Sequence, residues 1–497
     1  MIPERDYLRH DATGLAELVA RREVNASELL EAAIARTERE NPRLNAVVVP
    51  FFQLARERAR TELSGPFAGV PFLLKDLFQH YAGVASSWGN KARKRTPVPA
   101  AAHDEITRRW LAAGVVPFGL TNTPEFGAKG ITEPDAWGPS RNAWHLERTP
   151  GGSSGGAAAA VSAGLVPMAG GNDGGGSIRI PSSYSGLFGF KPGRYRTPFG
   201  PWLMNTMHGA AVNHVLTRSV RDSARMLDAT HGPELGGTAQ LAPPERPYAE
   251  EATRDPKPLR IAFTTRSPLG HEVDAEAIAA VEQAAKLLES LGHHVEPAEP
   301  ELDGHQLAQD FLNAWFAHMA DAVELVRRET GAGLDGFESD TLALWAVGRA
   351  TPATDYLASF HRWYEHGATL ARFFTRYALY LTPSTASSAP LVGSVRTPSV
   401  VTALLTGILK ARAGVVLRLV REQFFEVARQ NLRHVPFTQL ANLTGVPAMS
   451  VPLHITAQGM PIGVQFVAPM AGEGTLFALA GQLERAAPWA ARYPFLR

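Results

Sequence analysis

The stretch from Gly151 to Pro192, GGSSGGAAAAVSAGLVPMAGGNDGGGSIRIPSSYSGLFGFKP, constrains this chain more than any other. Two glycine loops, Gly151-Gly-Ser-Ser-Gly-Gly156 and Gly174-Gly-Gly-Ser177, flank an uncharged, alanine-rich run and set Ser153 and Ser177 24 positions apart. Glycine is required where a backbone takes positive φ or comes very close to another group. Two such loops, each with a serine, point to N–H groups gathered around a reacting atom. The run Ala157–Ala169 is predicted to be a buried helix, too short to cross a bilayer.

Only eight of the 49 basic residues are lysine. One of them, Lys75, ends the apolar run Pro71-Phe-Leu-Leu74. Arginine stays charged at any working pH, whereas a desolvated lysine can release its proton. Serine is a weak nucleophile until a base takes its proton, and Lys75 is a candidate for that base. Its neighbour Asp76 would oppose the shift if it faced the amine, but adjacent strand residues point to opposite faces. Lys191, in Phe-Lys-Pro-Gly, reads instead as a strand exit.

Other chemistries are narrowed by composition. The chain has no cysteine, which excludes a disulfide framework, thiol catalysis and thiolate metal sites. A formal charge of +1 gives no field to draw nucleic acid or acidic membranes. The 16 histidines are scattered, and the adjacent pair His293-His294 reads as solvated rather than metal-binding. No metal or cofactor is therefore expected. Lys91-Ala-Arg-Lys-Arg95 reads as a solvated loop. The first ten residues hold no apolar signal core, so a cytoplasmic protein is expected.

Along the chain, helices alternate with short buried strands, which predicts α/β layers around one sheet. Strands are expected at 45–49, 71–75, 115–119, 259–263, 294–296 and 377–383, with a closing hairpin of 447–453 and 462–467. Helices are expected across 13–40 (two, the second capped by Asn25), then at 56–62, 107–114, 218–227, 274–291 and 473–485. Residues 307–373 read as mostly helical and aromatic. The 497 residues suit one large domain or several. We read a single domain: N-terminal helices at 10–62, a core at 65–230, a substrate-side helical insertion at about 305–435, and C-terminal strands and helix at 436–497.

The central stretch resembles the amidase signature family, which pairs a GGSSGG loop with a later G-x-D-x-GGS-x-R-x-P segment, here Gly171-Asn-Asp-Gly-Gly-Gly-Ser-Ile-Arg-Ile-Pro181. Gly69-Val-Pro-Phe-Leu-Leu-Lys-Asp76, Gly189-Phe-Lys-Pro192, Thr444-Gly-Val-Pro-Ala-Met-Ser450 and Gly459-Met-Pro-Ile-Gly463 extend the resemblance over most of the chain. It implies a single α/β/α domain with a mixed central sheet covered by helices on both faces. It implies Ser177 as nucleophile, Ser153 (after a cis peptide bond) as proton relay, and Lys75 as base. It implies an oxyanion hole from the N–H groups of Gly174, Gly175, Gly176 and Ser177, donors typically worth about 3 kcal/mol each in the transition state. Asp173 and Arg179 read as a pair that braces the loop.

The substrate is expected to be a small-molecule amide, lactam, aryl amide or carbamate, with neither nucleic acid nor membrane as partner and a homodimer left open. The wording of Thr121-Asn-Thr-Pro-Glu125, Thr132-Glu-Pro-Asp-Ala-Trp137 and Gly171-Asn-Asp173 is similar to the nylon-oligomer hydrolase branch. Asn122, Ser154 and Trp315 are expected to contact substrate, with Phe316 as further lining. Leu120 stands where many members have lysine, Asn172 where threonine is usual, and Ala157 where a serine often follows. These departures are expected to alter pocket shape without touching the three reacting residues. The apolar segment 391–435, including Val400–Leu405, is read as a lid or access wall, or equally as core or dimer surface.

Two other readings stay open. Gly151-Gly-Ser153-Ser-Gly155 formally matches the nucleophile elbow of α/β-hydrolases, which would make an esterase using Ser153, although no strand is predicted before it. A subunit of a glutamine amidotransferase, needing partners, is the other, because a family's fold does not settle function. A phosphate-binding loop is not supported, since neither glycine loop ends in Gly-Lys-Ser/Thr.

Overall fold

The computed structural model describes residues 2–201, 205–395, 425, 428–430 and 432–496. Its strands are β1 (Val47–Pro50), β2 (Pro71–Lys75), β3 (Val116–Thr121), β4 (Met168–Asp173), β5 (Phe188–Lys191), β6 (Val212–Thr217), β7 (Arg260–Phe263), β8 (His294–Pro297), β9 (Leu379–Pro383), β10 (Ala448–Ile455) and β11 (Pro461–Val467). They form one eleven-stranded sheet in the order β1-β3-β2-β4-β6-β5-β10-β11-β9-β7-β8. The pairs β2/β3, β2/β4, β7/β8 and β7/β9 are parallel and the others antiparallel. The sheet is thus mixed, as expected.

Every residue of β2, β3, β4, β5, β6, β9 and β11 is buried. A strand buried throughout has both faces covered, so the sheet lies between two helical layers. Because β2 and β4 run parallel side by side, with Leu73 opposite Ala169, their C-terminal ends open at the same edge. That edge is where open α/β sheets hold their ligands.

Local chemistry explains much of the rest. Asn25 and Glu28 form a capping box at the start of the Ala26–Leu44 helix. The hairpin β10–β11 is antiparallel, with Ala448 opposite Val467. Helices at Gly304–Thr330, Ser339–Ala350 and Ala353–Phe374 fill the predicted aromatic region. Asp310, fully buried in the first, accepts from Arg362 at 2.7 Å and pairs with His366 at 2.9 Å, tying it to the third. Most of the expected 391–435 lid, including Val400–Leu405, lies outside the described residues.

Several expectations are corrected. The alanine-rich helix spans only Gly155–Ser162, and Met168–Ala169 open β4 instead. After Gly164, at φ +71°, the chain turns into a slot between β2 and β6, whose open hydrogen-bonding edges outweigh local propensity. The helix expected at 56–62 lies at Phe52–Ala59. Lys91–Arg95 is a helical turn capped by Asn90 rather than a solvated loop. Arg93 is buried there with its guanidinium 4.0 Å from the Trp88 ring, and it pairs with Glu329. His293 is buried, not solvated: its Nδ1 accepts from the Leu259 N–H at 3.1 Å and its Nε2 lies 2.9 Å from Gln482 Oε1. Among the described residues, no helix is long and apolar enough to cross a membrane.

The Gly155–Ser162 helix starts against bare backbone. A Cβ on Gly156 would lie 2.4 Å from the Asn122 nitrogen and 2.6 Å from the Ala46 carbonyl oxygen. Neither neighbour is a flexible side chain that can yield. Gly156→Ala is therefore expected to cost at least about 1–3 kcal/mol, as overpacking does. A thermal or urea unfolding midpoint equal to wild type would refute this packing account.

Candidate active site

β2 delivers Lys75 to the C-terminal edge of the sheet, and the residue is 1% exposed. Its Nζ lies 2.7 Å from Ser153 Oγ and donates to Asn172 Oδ1 at 2.6 Å. Burial pulls the Lys75 amine well below the ordinary lysine range, against the opposing pull of the Asp173 carboxylate. Asp76 faces elsewhere: its carboxylate accepts from Ser86 Oγ and the Ser87 N–H, both at 2.8 Å. Burial thereby favours the neutral form of the Lys75 amine, the form that can accept a proton.

Ser153 follows a cis peptide bond from Gly152. The next N–H, that of Ser154, donates to the Ser177 carbonyl at 3.3 Å, so the two glycine loops are joined directly. Ser153, Asn172 and Ser177 all line one cavity of about 240 Å³. Its walls are largely apolar and include the rings of Phe78, Trp88, Phe126, Phe199 and Trp315. Asp321 is the one Asp, Glu, Lys or Arg among the described lining residues. His208 and His318 also line it, and burial lowers both imidazoles from their ordinary value.

The loop carrying Ser177 is held by a fully buried ion pair, in which Arg179 Nη2 donates to Asp173 Oδ1 at 2.9 Å and Nε to Oδ2 at 3.0 Å. Burial alone would raise the Asp173 carboxyl, but the Arg179 guanidinium holds it well below the usual carboxylate range. Asp173 also accepts the Gly176 N–H at 2.8 Å. Arg179 reaches on to the Thr438 carbonyl, Asn442 Oδ1 and Gln465 Oε1 at 2.6–2.9 Å. Thr438 Oγ1 donates in turn to the Gly175 carbonyl at 2.7 Å. Gly176 sits at φ +127°, open only to glycine, and its place beside Thr438 leaves no room for a Cβ.

These positions redraw part of the predicted site. Of the four N–H groups expected to form the oxyanion hole, that of Gly176 is committed to Asp173, which leaves those of Gly174, Gly175 and Ser177. Asn122 does not line the cavity: it is buried, and its Nδ2 donates to the Gly138 carbonyl at 3.0 Å and to Ser140 Oγ at 3.1 Å. Ser154 does not line it either, its Oγ turned to the Asn172 carbonyl at 3.3 Å. Trp315 lines the cavity, but Phe316 turns away and packs edge-on against Phe425, ring centres 4.9 Å apart. Helix periodicity separates the two, since adjacent residues project about 100° apart. Asn172 touches Lys75 directly, so it does more than shape the pocket. Lys191, fully buried, is pulled down to about 7 by burial and the Arg179 charge, yet it donates to the Pro192 carbonyl and is not among the lining residues. No strand leads into Ser153, and its partner is a lysine rather than a histidine, which removes the elbow reading.

A mixed α/β sheet with a lysine and two glycine-loop serines at its edge defines an amidase-type hydrolase. The amidase family's sequence profile matches residues 28–477, and the chain belongs to that family. It is an enzyme that hydrolyses carbon–nitrogen bonds of amides. It is 37% identical over 511 aligned positions to the 6-aminohexanoate-cyclic-dimer hydrolase of Pseudomonas sp. (strain NK87), with 98% of this chain and 97% of that protein covered. A solved 6-aminohexanoate cyclic dimer hydrolase superposes at TM-score 0.89 and 35% identity, covering 98% of this chain and 99% of the other. A bacterial aryl acylamidase superposes at TM-score 0.84 and 26% identity, covering 98% of each chain.

Among the described residues, no group of three or more His, Cys, Asp or Glu side chains is disposed to hold a metal ion. Arg179→Met would strand the Asp173 carboxylate without its cation, an expected cost of about 3–5 kcal/mol. Arg349→Met, which breaks a half-exposed bridge to Glu324, should cost no more than about 1 kcal/mol. Equal unfolding midpoints for the two variants would refute the bracing role of Arg179.

Proposed function

We propose that the chain is a serine amidohydrolase in which Ser177 attacks the carbonyl, Ser153 relays protons and Lys75 is the base. The observation that carries this reading is the buried Lys75 amine 2.7 Å from Ser153 Oγ, with Ser177 lining the same cavity. Neutral Lys75 accepts the Ser153 proton while Ser153 takes that of Ser177. The Ser177 Oγ–carbon bond forms, and the carbonyl oxygen turns toward the N–H groups of Gly174, Gly175 and Ser177. The proton then returns through Ser153 to the amide nitrogen, a poor leaving group until protonated, and the C–N bond breaks. Water attacks the resulting ester by the same relay and releases the acid.

The substrate class follows from the lining. Aromatic walls with no lysine or arginine among the described lining residues favour neutral, largely apolar amides. Free carboxylates would find no lysine or arginine to pair with among those lining residues. Cyclic or linear amides of ω-amino acids, aryl amides and carbamates all satisfy this, and likeness to a cyclic-dimer hydrolase favours the first. A cytoplasmic location belongs to the same proposal.

The test is the pH dependence of amide hydrolysis. Below the Lys75 pKa the amine is an ammonium and cannot accept a proton. Activity should therefore rise with pH through one ionisation lying well below the ordinary lysine range. Lys75→Arg, which cannot deprotonate at working pH, and Ser177→Ala should each lose at least about 10²–10⁴-fold in kcat. A Lys75→Arg enzyme with wild-type kcat, or a profile flat with pH, would overturn the assignment.

A further inference from the structure

Resting on the reading of Lys75 as base, we infer that Asn172 is a positioning residue that aims the Lys75 lone pair at Ser153. Asn172 is 5% exposed and held in β4 by pairing with Asn213 of β6. Its Nδ2 donates to the Leu77 carbonyl at 2.8 Å, and its Oδ1 receives the Lys75 amine at 2.6 Å. The orientation of the amide is not a free choice. A backbone carbonyl only accepts, so Leu77 claims the NH₂ end and the oxygen must face the lysine.

That oxygen carries no hydrogen and can only accept. A neutral amine has two N–H bonds and one lone pair, so one N–H is committed to Asn172. Of the two side chains hydrogen-bonded to Nζ, Ser153 alone can supply a proton, and the lone pair faces it. A threonine hydroxyl at this position could donate or accept and would leave that polarity undecided. The contact also strengthens during reaction. Once Nζ has taken the Ser153 proton it is an ammonium, and its bond to Oδ1 becomes charge-assisted. Asn172 thus favours the charge-developed state over the resting one, which is what accelerates a step. The charged groups beside Nζ leave this role to a neutral acceptor. Asp173 is engaged by Arg179, and Asp76 is turned toward Ser86 and Ser87.

The probe is a fluorophosphonate, because its reaction reports serine activation without needing the right amide. Ser177 Oγ bonds to phosphorus, fluoride leaves, and the serine proton passes through Ser153 to Lys75. Labelling rates of the full-length enzyme would be followed from acid to alkaline pH, with a thermal unfolding midpoint for each variant. Asn172→Leu should label about ten- to a hundredfold more slowly at every pH. Asn172→Asp puts a negative charge on the amine and should move the acid limb upward by about 1–3 pH units, slow near neutrality and recovering in alkali. Asn172→Thr should restore most of the rate lost in Asn172→Leu. A merely structural role would lower the unfolding midpoint without shifting the acid limb. A folded Asn172→Leu with wild-type rate and profile, or an unmoved limb in Asn172→Asp, would overturn the inference while leaving the triad intact. Failure of wild type to label at Ser177 at any pH would overturn the triad reading and this inference with it.

Discussion

The Asp173–Arg179 pair is the contact on which the site depends. Both groups are fully buried. A charge so placed is tolerable only when paired and fully hydrogen-bonded, and here both conditions are met. Asp173 gathers the Gly176 N–H and Asn442 Nδ2, while Arg179 spans to Thr438, Asn442 and Gln465. One ion pair thereby fastens the Ser177 loop to elements more than 250 residues later in the chain. Paired at 2.9 Å, the two charges also largely cancel at longer range, which lessens the pull of Asp173 on the Lys75 ammonium.

The same edge of the sheet thus carries two opposite solutions to buried charge. At Asp173 the carboxylate stays ionised because arginine cannot lose its proton. At Lys75, on the neighbouring strand β2, no carboxylate among the described residues is in hydrogen-bond contact and burial favours the neutral amine. The chain uses arginine almost everywhere a cation is needed. Its lysine at the end of β2 is where a neutral base is useful.

Much of this was legible in the sequence, for identifiable reasons. Lys75 could be found because an apolar strand ending in lysine is odd in a chain so poor in lysine. Ser153 and Ser177 could be found because glycine loops mark backbone approach. Asp173 and Arg179 could be paired because they flank one loop. The misses share a different cause. β4, written Met-Ala-Gly-Gly-Asn-Asp, has no strand-forming pattern, and only the open edges of β2 and β6 make it a strand. Asn122 looked polar and available, yet it is buried away from the cavity with its Nδ2 engaged by Gly138 and Ser140. Thr438, Asn442 and Gln465 reach the catalytic loop through tertiary packing, for which nothing local is a signal. Asn172 was visible as an unusual residue, but only the coordinates put its oxygen on the lysine.

In the proposed mechanism Ser177, not Ser153, becomes acylated. Rapid-quench mass spectrometry of the enzyme with a chromogenic amide, followed by peptide mapping, reads this directly. A transient adduct of the acyl mass is expected on the peptide containing Ser177, absent from Ser177→Ala. An adduct on Ser153 would exchange the roles of nucleophile and relay. Release of product with no adduct on either serine at any quench time would contradict covalent catalysis altogether.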